Sequence, residues 1–286
     1  MKHEIIYLKD HYPVLGENGR NPYVTTYLPD NLAGMGRQNE KRPCIVVCPG
    51  GGYSSCSERE AEPVAVHFLP EGYNVFVLNY SCAPERYPVQ LREVAGLMEM
   101  IHENAEDWHC DTSRIALMGF SAGGHLAAHY STSHDCAEIR EVFPDSKPVS
   151  LSVLCYPVIT SDPEWANKNS FKRLLGDNYC ETEEIATVSC NRLVTKNTPP
   201  AFIWHTSEDS GVPVMNSLLY SQALAANNIP FEMHIYPFGS HGLSTCDHTT
   251  LDNPQGAPAY DKEWIVNLKR WLKMMFSGTD NTFSKY

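Results

Sequence analysis

The sequence lacks any long apolar run, and it has few basic residues for its length. No stretch of its 286 residues approaches the roughly 18 consecutive apolar residues of a membrane-spanning helix. It carries 22 Lys and Arg against 34 Asp and Glu, a formal charge of −12. This charge argues against nucleic acid and anionic membrane surfaces as partners, since both attract clustered basic residues. It also suits a neutral substrate better than an anionic one.

Signals for secretion, metal binding and nucleotide binding are missing as well. The first ten residues are mixed and charged, without the apolar region of a secretory signal, and this predicts a cytoplasmic protein. The ten cysteines include no Cys-x-x-Cys pair and the twelve histidines include no His-Glu-x-x-His motif. We therefore expect free thiols and no metal. Neither G-x-G-x-x-G nor a Walker motif occurs, so we expect no cofactor.

Short apolar runs alternate with helical segments along the chain. Two extended segments, at about 3–9 and 22–28, suggest an antiparallel start. Six later runs are rich in Val and Ile and suit strands buried on both faces: 44–48, 74–80, 115–120, 151–159, 201–206 and 231–236. With helices between them, these runs predict an α/β protein with a mostly parallel eight-stranded sheet flanked by helices.

One long connection interrupts this alternation. Residues 161–198 are too many for a plain loop in a compact domain, and they contain apolar side chains such as Phe171 and Leu174. We interpret them as a small, cap-like helical insertion over one edge of the sheet. The expected organisation is one domain over residues 1–286 that includes this insertion. The oligomeric state stays open, and a homo-oligomer is compatible with the sequence.

The strongest catalytic signal is a serine between two glycines. Residues 119–123 read Gly-Phe-Ser-Ala-Gly, which matches G-x-S-x-G, and they lie between a predicted strand and a predicted helix. That context is typical of a nucleophile elbow, in which small neighbours allow a strained turn. The start of the helix also favours developing negative charge. The pattern predicts Ser121 as a nucleophile, and a glycine-rich packing turn is the alternative.

A serine nucleophile needs a base that a third group orients. In this type of sheet the expected chain order is Ser, Asp or Glu, then His. Asp209 follows one predicted strand and His241 follows the next, both at carboxyl ends where such sheets bind ligands. Ser121, Asp209 and His241 can therefore meet above the sheet. Glu208 is the alternative acid and His248 the alternative base.

Three consecutive glycines follow the strand predicted at 44–48. Gly50, Gly51 and Gly52 suit a backbone that turns its N–H groups outward. An acyl-transfer enzyme needs such donors for the tetrahedral oxyanion. The residue after the nucleophile, Ala122, should supply another N–H. A phosphate-binding loop is the alternative, but the sequence lacks the motifs that accompany such loops.

Together these residues resemble the α/β-hydrolase superfamily. More narrowly, they are similar to its bacterial esterase branch, related to hormone-sensitive lipase and to acetyl-esterase and acetylxylan-esterase-like proteins. The matching segments are PCIVVCPGGGYSSCSEREAEPVA, FVLNYSCAPE, SRIALMGFSAGGHLAAH, NTPPAFIWHTSEDSGVPVMNSLLY and HIYPFGSHGLS. Two positions depart from the family pattern: Pro49 stands where a histidine is common, and Ser81 stands where an arginine is usual.

The resemblance implies a catalytic triad of Ser121, Asp209 and His241, with Gly51, Gly52 and Ala122 as backbone donors to the oxyanion. The implied reaction is hydrolysis of short-chain esters, in particular acetyl esters, and the implied substrate is a small molecule such as an acetylated oligosaccharide. Candidates for the substrate pocket are Tyr53, Phe120 and Phe171, with core packing as the alternative for each. Alternative functions are a lipase for longer acyl chains, a peptidase of this fold and a non-catalytic binding protein.

Overall fold

One sheet of eight strands runs through the part of the chain that the structure describes. The computed structural model describes residues 1–16, 19–177, 179–181, 184–251 and 262–277. The strands are β1 (Lys2–Tyr7), β2 (Tyr23–Leu28), β3 (Arg42–Cys48), β4 (Asn74–Asn79), β5 (Cys110–Phe120), β6 (Leu151–Cys155), β7 (Ala201–Thr206) and β8 (Phe231–Tyr236). Their order across the sheet is β1-β2-β4-β3-β5-β6-β7-β8.

The sheet is antiparallel at one edge and parallel elsewhere. β1 pairs with β2, and β2 with β4, in antiparallel register. Every other neighbouring pair, from β4 and β3 across to β7 and β8, is parallel. Parallel strands bring their carboxyl ends to one edge, where open α/β sheets bind ligands. The predicted α/β fold with a mostly parallel eight-stranded sheet is confirmed.

Helices cover both faces of this sheet. Within the described residues they are α1 (Leu8–His11), α2 (Glu62–Phe68), α3 (Val89–Glu103), α4 (Ala122–Ser133), α5 (Ala137–Arg140), α6 (Lys168–Leu175), α7 (Glu184–Thr187), α8 (Cys190–Leu193), α9 (Met215–Ala226) and α10 (Glu263–Ser277). Side chains of α3, α4 and α9 share a core with Cys44 and Val46 of β3, whereas α2 and α10 share the other core with Ile45 and Val47. Alternation along β3 therefore requires apolar residues at successive positions. None of the described helices combines the length and apolar character needed to cross a membrane.

Two strand boundaries differ from the sequence prediction by more than two residues. β5 begins at Cys110 rather than at residue 115, because polar residues extend it and pair irregularly with β3 near Arg42. β6 ends at Cys155 rather than at residue 159. Tyr156 has a φ of 36°, outside strand conformations, and Pro157 has no N–H to donate to the ladder. The apolar run continues because the following residues are buried, not because they are strand.

The connection between β6 and β7, where the sequence predicts the helical insertion, contains α6, α7 and α8. Asn167 caps α6 by accepting a hydrogen bond from the Ser170 N–H at 2.9 Å. Its Nδ2 donates to the Gly211 carbonyl beyond β7 at 2.8 Å. Arg173 of α6 donates to the Gly52 carbonyl beyond β3 at 3.2 Å. These bonds hold α6 over the carboxyl edge of the sheet.

Candidate active site

Ser121 lies in a tight turn between β5 and α4. Its φ of 52° and ψ of −116° form a backbone conformation that residues with a Cβ rarely adopt. A Cβ on Gly119 would lie 2.1 Å from the Gly123 carbonyl oxygen, and a Cβ on Gly123 would lie 2.1 Å from the Cys48 carbonyl oxygen. Only glycine fits at both positions, so close backbone packing explains the G-x-S-x-G pattern.

Hydrogen bonds join Ser121, His241 and Asp209 into one chain. The Ser121 Oγ lies 2.7 Å from His241 Nε2, and His241 Nδ1 lies 2.6 Å from Asp209 Oδ2. Asp209 follows β7 and His241 follows β8, so both lie at the carboxyl edge of the sheet. The structure thus brings together the three residues that the sequence predicts as nucleophile, base and acid.

Asp209 is buried and fully hydrogen bonded. Its Oδ1 accepts hydrogen bonds from the N–H groups of Gly211 at 2.9 Å and Val212 at 2.8 Å. Burial by itself raises the pKa of Asp209, but hydrogen bonds from His205, His241 and the Val212 amide outweigh it and hold this pKa well below its ordinary value. The carboxylate is therefore ionised at neutral pH and can orient and stabilise a protonated His241.

A second histidine lies behind Asp209. His205 Nε2 lies 3.2 Å from Asp209 Oδ2 and 2.9 Å from the Val212 carbonyl oxygen, and its Nδ1 lies 2.8 Å from Ser217 Oγ. Because Nε2 faces two acceptors, it carries the hydrogen, and Nδ1 accepts from the serine hydroxyl. His205 is completely buried, so it is a structural residue that holds Asp209 from behind.

In the part of the chain that the structure describes, the side-chain hydrogen bonds of Ser121 and His241 involve neither the alternative acid nor the alternative base. Glu208 accepts a hydrogen bond from the Gly239 N–H at 3.1 Å, on the loop that leads to His241. His248 is exposed. In the described ranges, no group of three or more His, Cys, Asp or Glu side chains has an arrangement that could hold a metal ion.

The glycine loop borders Ser121 with unused N–H groups. Gly51 has a φ of 131° and Gly52 a φ of 60°, both in the left-handed region, and a Cβ on Gly51 would lie 2.0 Å from the Ser55 carbonyl oxygen. The N–H groups of Gly51, Gly52 and Ala122 donate no hydrogen bond to any residue that the structure describes. Ala122 is the first residue of α4, next to Ser121. These donors are therefore available to a bound oxygen.

Sequence reasoning missed Glu60, a carboxyl group buried between the glycine loop and His241. Its Oε2 accepts from the Gly50 N–H at 2.7 Å, and its Oε1 accepts from the Tyr156 hydroxyl at 2.6 Å. The ring of Tyr156 contacts the His241 ring edge-on, with centroids 5.1 Å apart. Burial raises the pKa of Glu60, against hydrogen bonds from Tyr156 and Gly50 that lower it. Glu60 lies in a charged stretch of the sequence, residues 58–62, and such a stretch is typical of a solvated surface. The sequence therefore gives no sign that Glu60 is buried.

A polar cavity of about 350 Å³ opens in front of Ser121. Its lining is Gly51, Gly52, Ser57, Arg59, Glu60, Ser121, Asn167, Asn169, Ser170, Arg173, His241 and Gly242. The side chains from 167 to 173 come from α6 and the residue before it, so the predicted insertion contributes one wall. Polar groups of this kind suit an alcohol with several hydroxyl groups.

The three aromatic residues predicted for the substrate pocket pack in the core instead. Tyr53 donates or accepts a 2.7 Å hydrogen bond with His125 Nδ1 and is 2% exposed. Phe120 is completely buried and packs against Tyr156 and Trp264. Phe171, 1% exposed, packs edge-on against His125. Their apolar surface made them candidates, but it is buried in the two cores, so core packing is the correct alternative.

Comparison with known proteins gives consistent matches. The BD-FAE family model matches residues 32–224. Endo-1,4-beta-xylanase B from Butyrivibrio fibrisolvens is 34% identical over 229 residues, which are 77% of this chain and 35% of that protein. An acetylxylan esterase from Xylanibacter ruminicola is 32% identical over 233 residues, 80% of this chain and 45% of that protein. The chain thus spans less than half the length of these two relatives.

Solved structures match over nearly the whole chain. An acetyl ester-xyloside bifunctional hydrolase from Caldicellulosiruptor lactoaceticus has a TM-score of 0.81 and 35% identity, and 96% of each chain is covered. A carboxylesterase from Lactobacillus plantarum has a TM-score of 0.82 and 28% identity, with 96% of this chain and 98% of that chain covered. On the family match and on these structures, the chain belongs to the BD-FAE family of α/β-hydrolase esterases.

Proposed function

We propose that the chain is a serine carboxylesterase that removes a short acyl group, in particular acetyl, from a sugar or oligosaccharide. One observation carries the proposal: the hydrogen-bonded chain of Ser121, His241 and Asp209 opens into a polar cavity beside the unused N–H groups of the glycine loop. A nucleophile, a base with its orienting carboxylate and nearby oxyanion donors are the groups that acyl transfer needs.

In the first half-reaction, His241 Nε2 takes the proton from Ser121 Oγ while Oγ attacks the ester carbonyl carbon. The N–H groups of Gly51, Gly52 and Ala122 donate hydrogen bonds to the oxyanion of the tetrahedral intermediate. Protonated His241, whose Nδ1–H donates to Asp209 Oδ2, then gives its proton to the leaving alcohol oxygen. The products of this half are the free alcohol and an acyl group on Ser121.

In the second half-reaction, water replaces the alcohol. His241 takes a proton from the water, whose oxygen attacks the acyl carbon, and the same three N–H groups hold the oxyanion. Return of the proton from His241 to Ser121 Oγ releases the carboxylic acid and restores the site. The ionised state of Asp209 matters in both halves because each half passes through protonated His241.

The preference for acetyl on a sugar is supported by the cavity and by the relatives. The side chains that line the cavity are mostly Asn, Ser and Arg, which can bind hydroxyl groups, and they include no Leu, Ile, Val, Met, Phe, Tyr or Trp side chain for a long acyl chain. Two relatives carry acetyl-ester activities in their names. Release rates from acetyl, butyryl and octanoyl p-nitrophenyl esters test this, and faster octanoyl hydrolysis would favour the lipase alternative.

Replacement of the nucleophile tests the proposed chemistry directly. Ser121→Ala should lower kcat/KM for p-nitrophenyl acetate by about ten-thousandfold, because no other group can form the acyl intermediate. Ser133→Ala, at the other end of α4, is the matched control and should keep wild-type activity. A Ser121→Ala protein that retains its fold by circular dichroism and also retains activity would refute the mechanism.

A further inference from the structure

A second cavity adjoins the one in front of Ser121. Its volume is about 360 Å³, and its lining is Ala83, Pro84, Arg86, Asn169, Lys172, Arg173, Gly176 and Asp177. Asn169 and Arg173 of α6 line both cavities, so the two adjoin along this helix. We call the two together the cleft. The combined volume of the cleft exceeds the volume of an acetyl ester of a simple alcohol.

The cleft has the opposite charge balance to the chain. Acidic residues outnumber basic ones by 34 to 22 in the sequence. The cleft is lined by four basic side chains, Arg59, Arg86, Lys172 and Arg173, and by two acidic ones, Glu60 and Asp177. The net charge favours a neutral substrate only if charges are evenly spread, and here they are not.

Neither of the two carboxyl groups forms an ion pair with an arginine of the cleft. Glu60 is 4% exposed, and both its oxygens accept hydrogen bonds from other groups. Asp177 pairs with Lys172 at 3.0 Å. In the described ranges, Arg59, Arg86 and Arg173 have no carboxylate within ion-pair distance. These three guanidinium groups therefore line the cleft without a direct ion pair to a carboxylate.

Two of these groups are anchored beside the reacting residues. Arg173 donates to the Gly52 carbonyl at 3.2 Å, and Arg59 donates to the Gly242 carbonyl at 3.1 Å, next to His241. A neutral carbonyl fixes a guanidinium group without cancelling its charge, and each group keeps further N–H donors. Planar, paired donors of this kind match a carboxylate.

Resting on the proposed esterase function, we infer that the alcohol of the natural ester carries a carboxylate, which Arg173 and Arg86 bind in the cleft. An acetyl group is small, so the alcohol must occupy the rest of the cleft. Asn167, Asn169 and Ser170 offer partners for its hydroxyl groups. The chemical class that combines hydroxyl groups with a carboxylate is an acetylated sugar acid, free or within an oligosaccharide.

Two matched substrates test this inference. One is the acetylated methyl glycoside of glucuronic acid, which has a carboxylate, and the other is the acetylated methyl glycoside of glucose, which has a hydroxymethyl group there. From acetate release at low salt, we expect kcat/KM to be at least about tenfold higher for the carboxylate substrate. The preference should shrink at high ionic strength, since Arg86 and Arg173 face solvent.

Variants assign the preference to the arginines. Arg173→Gln and Arg86→Gln should each reduce the ratio of the two kcat/KM values several-fold, and the double variant should bring it near one. Since Arg173 also holds the glycine loop, its loss can slow both substrates, and the ratio removes this common effect. Arg140→Gln on α5 changes the net charge equally, and it should leave the ratio unchanged.

The outcomes separate this inference from the function on which it rests. Equal kcat/KM values for the two sugar esters, or a higher value for the neutral one, would overturn the inference. Either result would leave the proposed esterase function unaffected. A preference that survives the double variant would overturn the role of the two arginines. If p-nitrophenyl acetate and both sugar esters all remained intact, the proposed function itself would fail.

Discussion

Glu60 joins two parts of the site that lie far apart in the sequence. One of its oxygens holds the Gly50 N–H, so it fixes the start of the glycine loop. The other holds the hydroxyl of Tyr156, whose ring contacts His241. The Tyr156 oxygen in turn accepts a hydrogen bond from the N–H of Ser244 at 2.9 Å, in the segment that follows His241. Glu60 is therefore a positioning residue, acting through its neighbours.

Glu60→Gln should lower kcat about tenfold with little change in KM. Two donors, the Gly50 N–H and the Tyr156 O–H, need two acceptors, and an amide offers only one oxygen beside an NH₂ group. One of the two donors therefore loses its acceptor, and this loosens either the loop or the tyrosine. Steady-state kinetics with p-nitrophenyl acetate measure the split. Glu58→Gln, in the same 3₁₀ turn but exposed, is the control, and an equal loss there would argue against this role.

The candidate triad could be predicted because backbone packing dictates its signature. The backbone packs too closely around Gly119 and Gly123 for a Cβ at either position, so both must be glycine in the sequence. Burial leaves no comparable signature. Tyr53 and Phe171 were candidates for the pocket because apolar side chains look alike in a sequence whether they line a cavity or a core. Glu60 and Arg173 went unnoticed for the opposite reason, since most charged side chains are solvated.

Most of the strands could likewise be predicted, because strands buried on both faces are apolar at every position. Their ends could not be predicted as well. At the end of β6 the apolar run continues while the backbone leaves the sheet at Tyr156, since the next residues are buried by other contacts. An apolar run in the sequence indicates that its residues are buried. It does not show where the hydrogen bonds of the strand, and therefore the strand itself, end.

Helix α3 meets the end of β4 through a buried carboxyl group. Glu93 is completely buried, and its Oε2 accepts from the Ser81 N–H at 2.7 Å, just beyond β4. Its Oε1 has no hydrogen-bond partner in the part of the chain that the structure describes. Burial raises the pKa of Glu93 to about 7, despite the hydrogen bonds from Ser81 that lower it. Ionisation near neutral pH therefore places a poorly compensated charge in the core.

Glu93→Gln should stabilise the protein at pH 8 and have a much smaller effect at pH 5. Because the pKa is higher in the folded state, the folded chain binds more protons, and stability falls as pH rises towards 7. The amide removes this loss, on the order of 3 kcal/mol, and keeps an oxygen for Ser81. Thermal unfolding at the two pH values measures the difference. The exposed Glu103→Gln on the same helix is the control, and a gain independent of pH would contradict the argument.

The two cores on either side of the sheet explain why ten cysteines occur without a pairing pattern. Seven are buried, and none of the ten forms a disulfide bond in the part of the chain that the structure describes. Cys44 lies in the core with α3 and α4, whereas Cys155 lies in the core with α2 and α10. A buried thiol behaves as a small apolar side chain, so these residues fill space in the core. The fold needs no disulfide because its sheet already supplies a large apolar interior.

Thiol counting tests this account. In the native protein without reductant, Ellman's reagent should modify one thiol quickly, at the exposed Cys180, while the buried thiols react only as the fold opens. Two thiols are partly covered: burial raises the pKa of Cys136 to about 11, and a hydrogen bond with Cys82 together with burial raises the pKa of Cys56, so both stay protonated and slow. Cys180→Ser should abolish the fast phase, and Cys136→Ser should preserve it. In guanidinium all ten thiols should react. A smaller number would reveal a disulfide bond and would contradict the structure, in which none of the ten cysteines is paired in a disulfide.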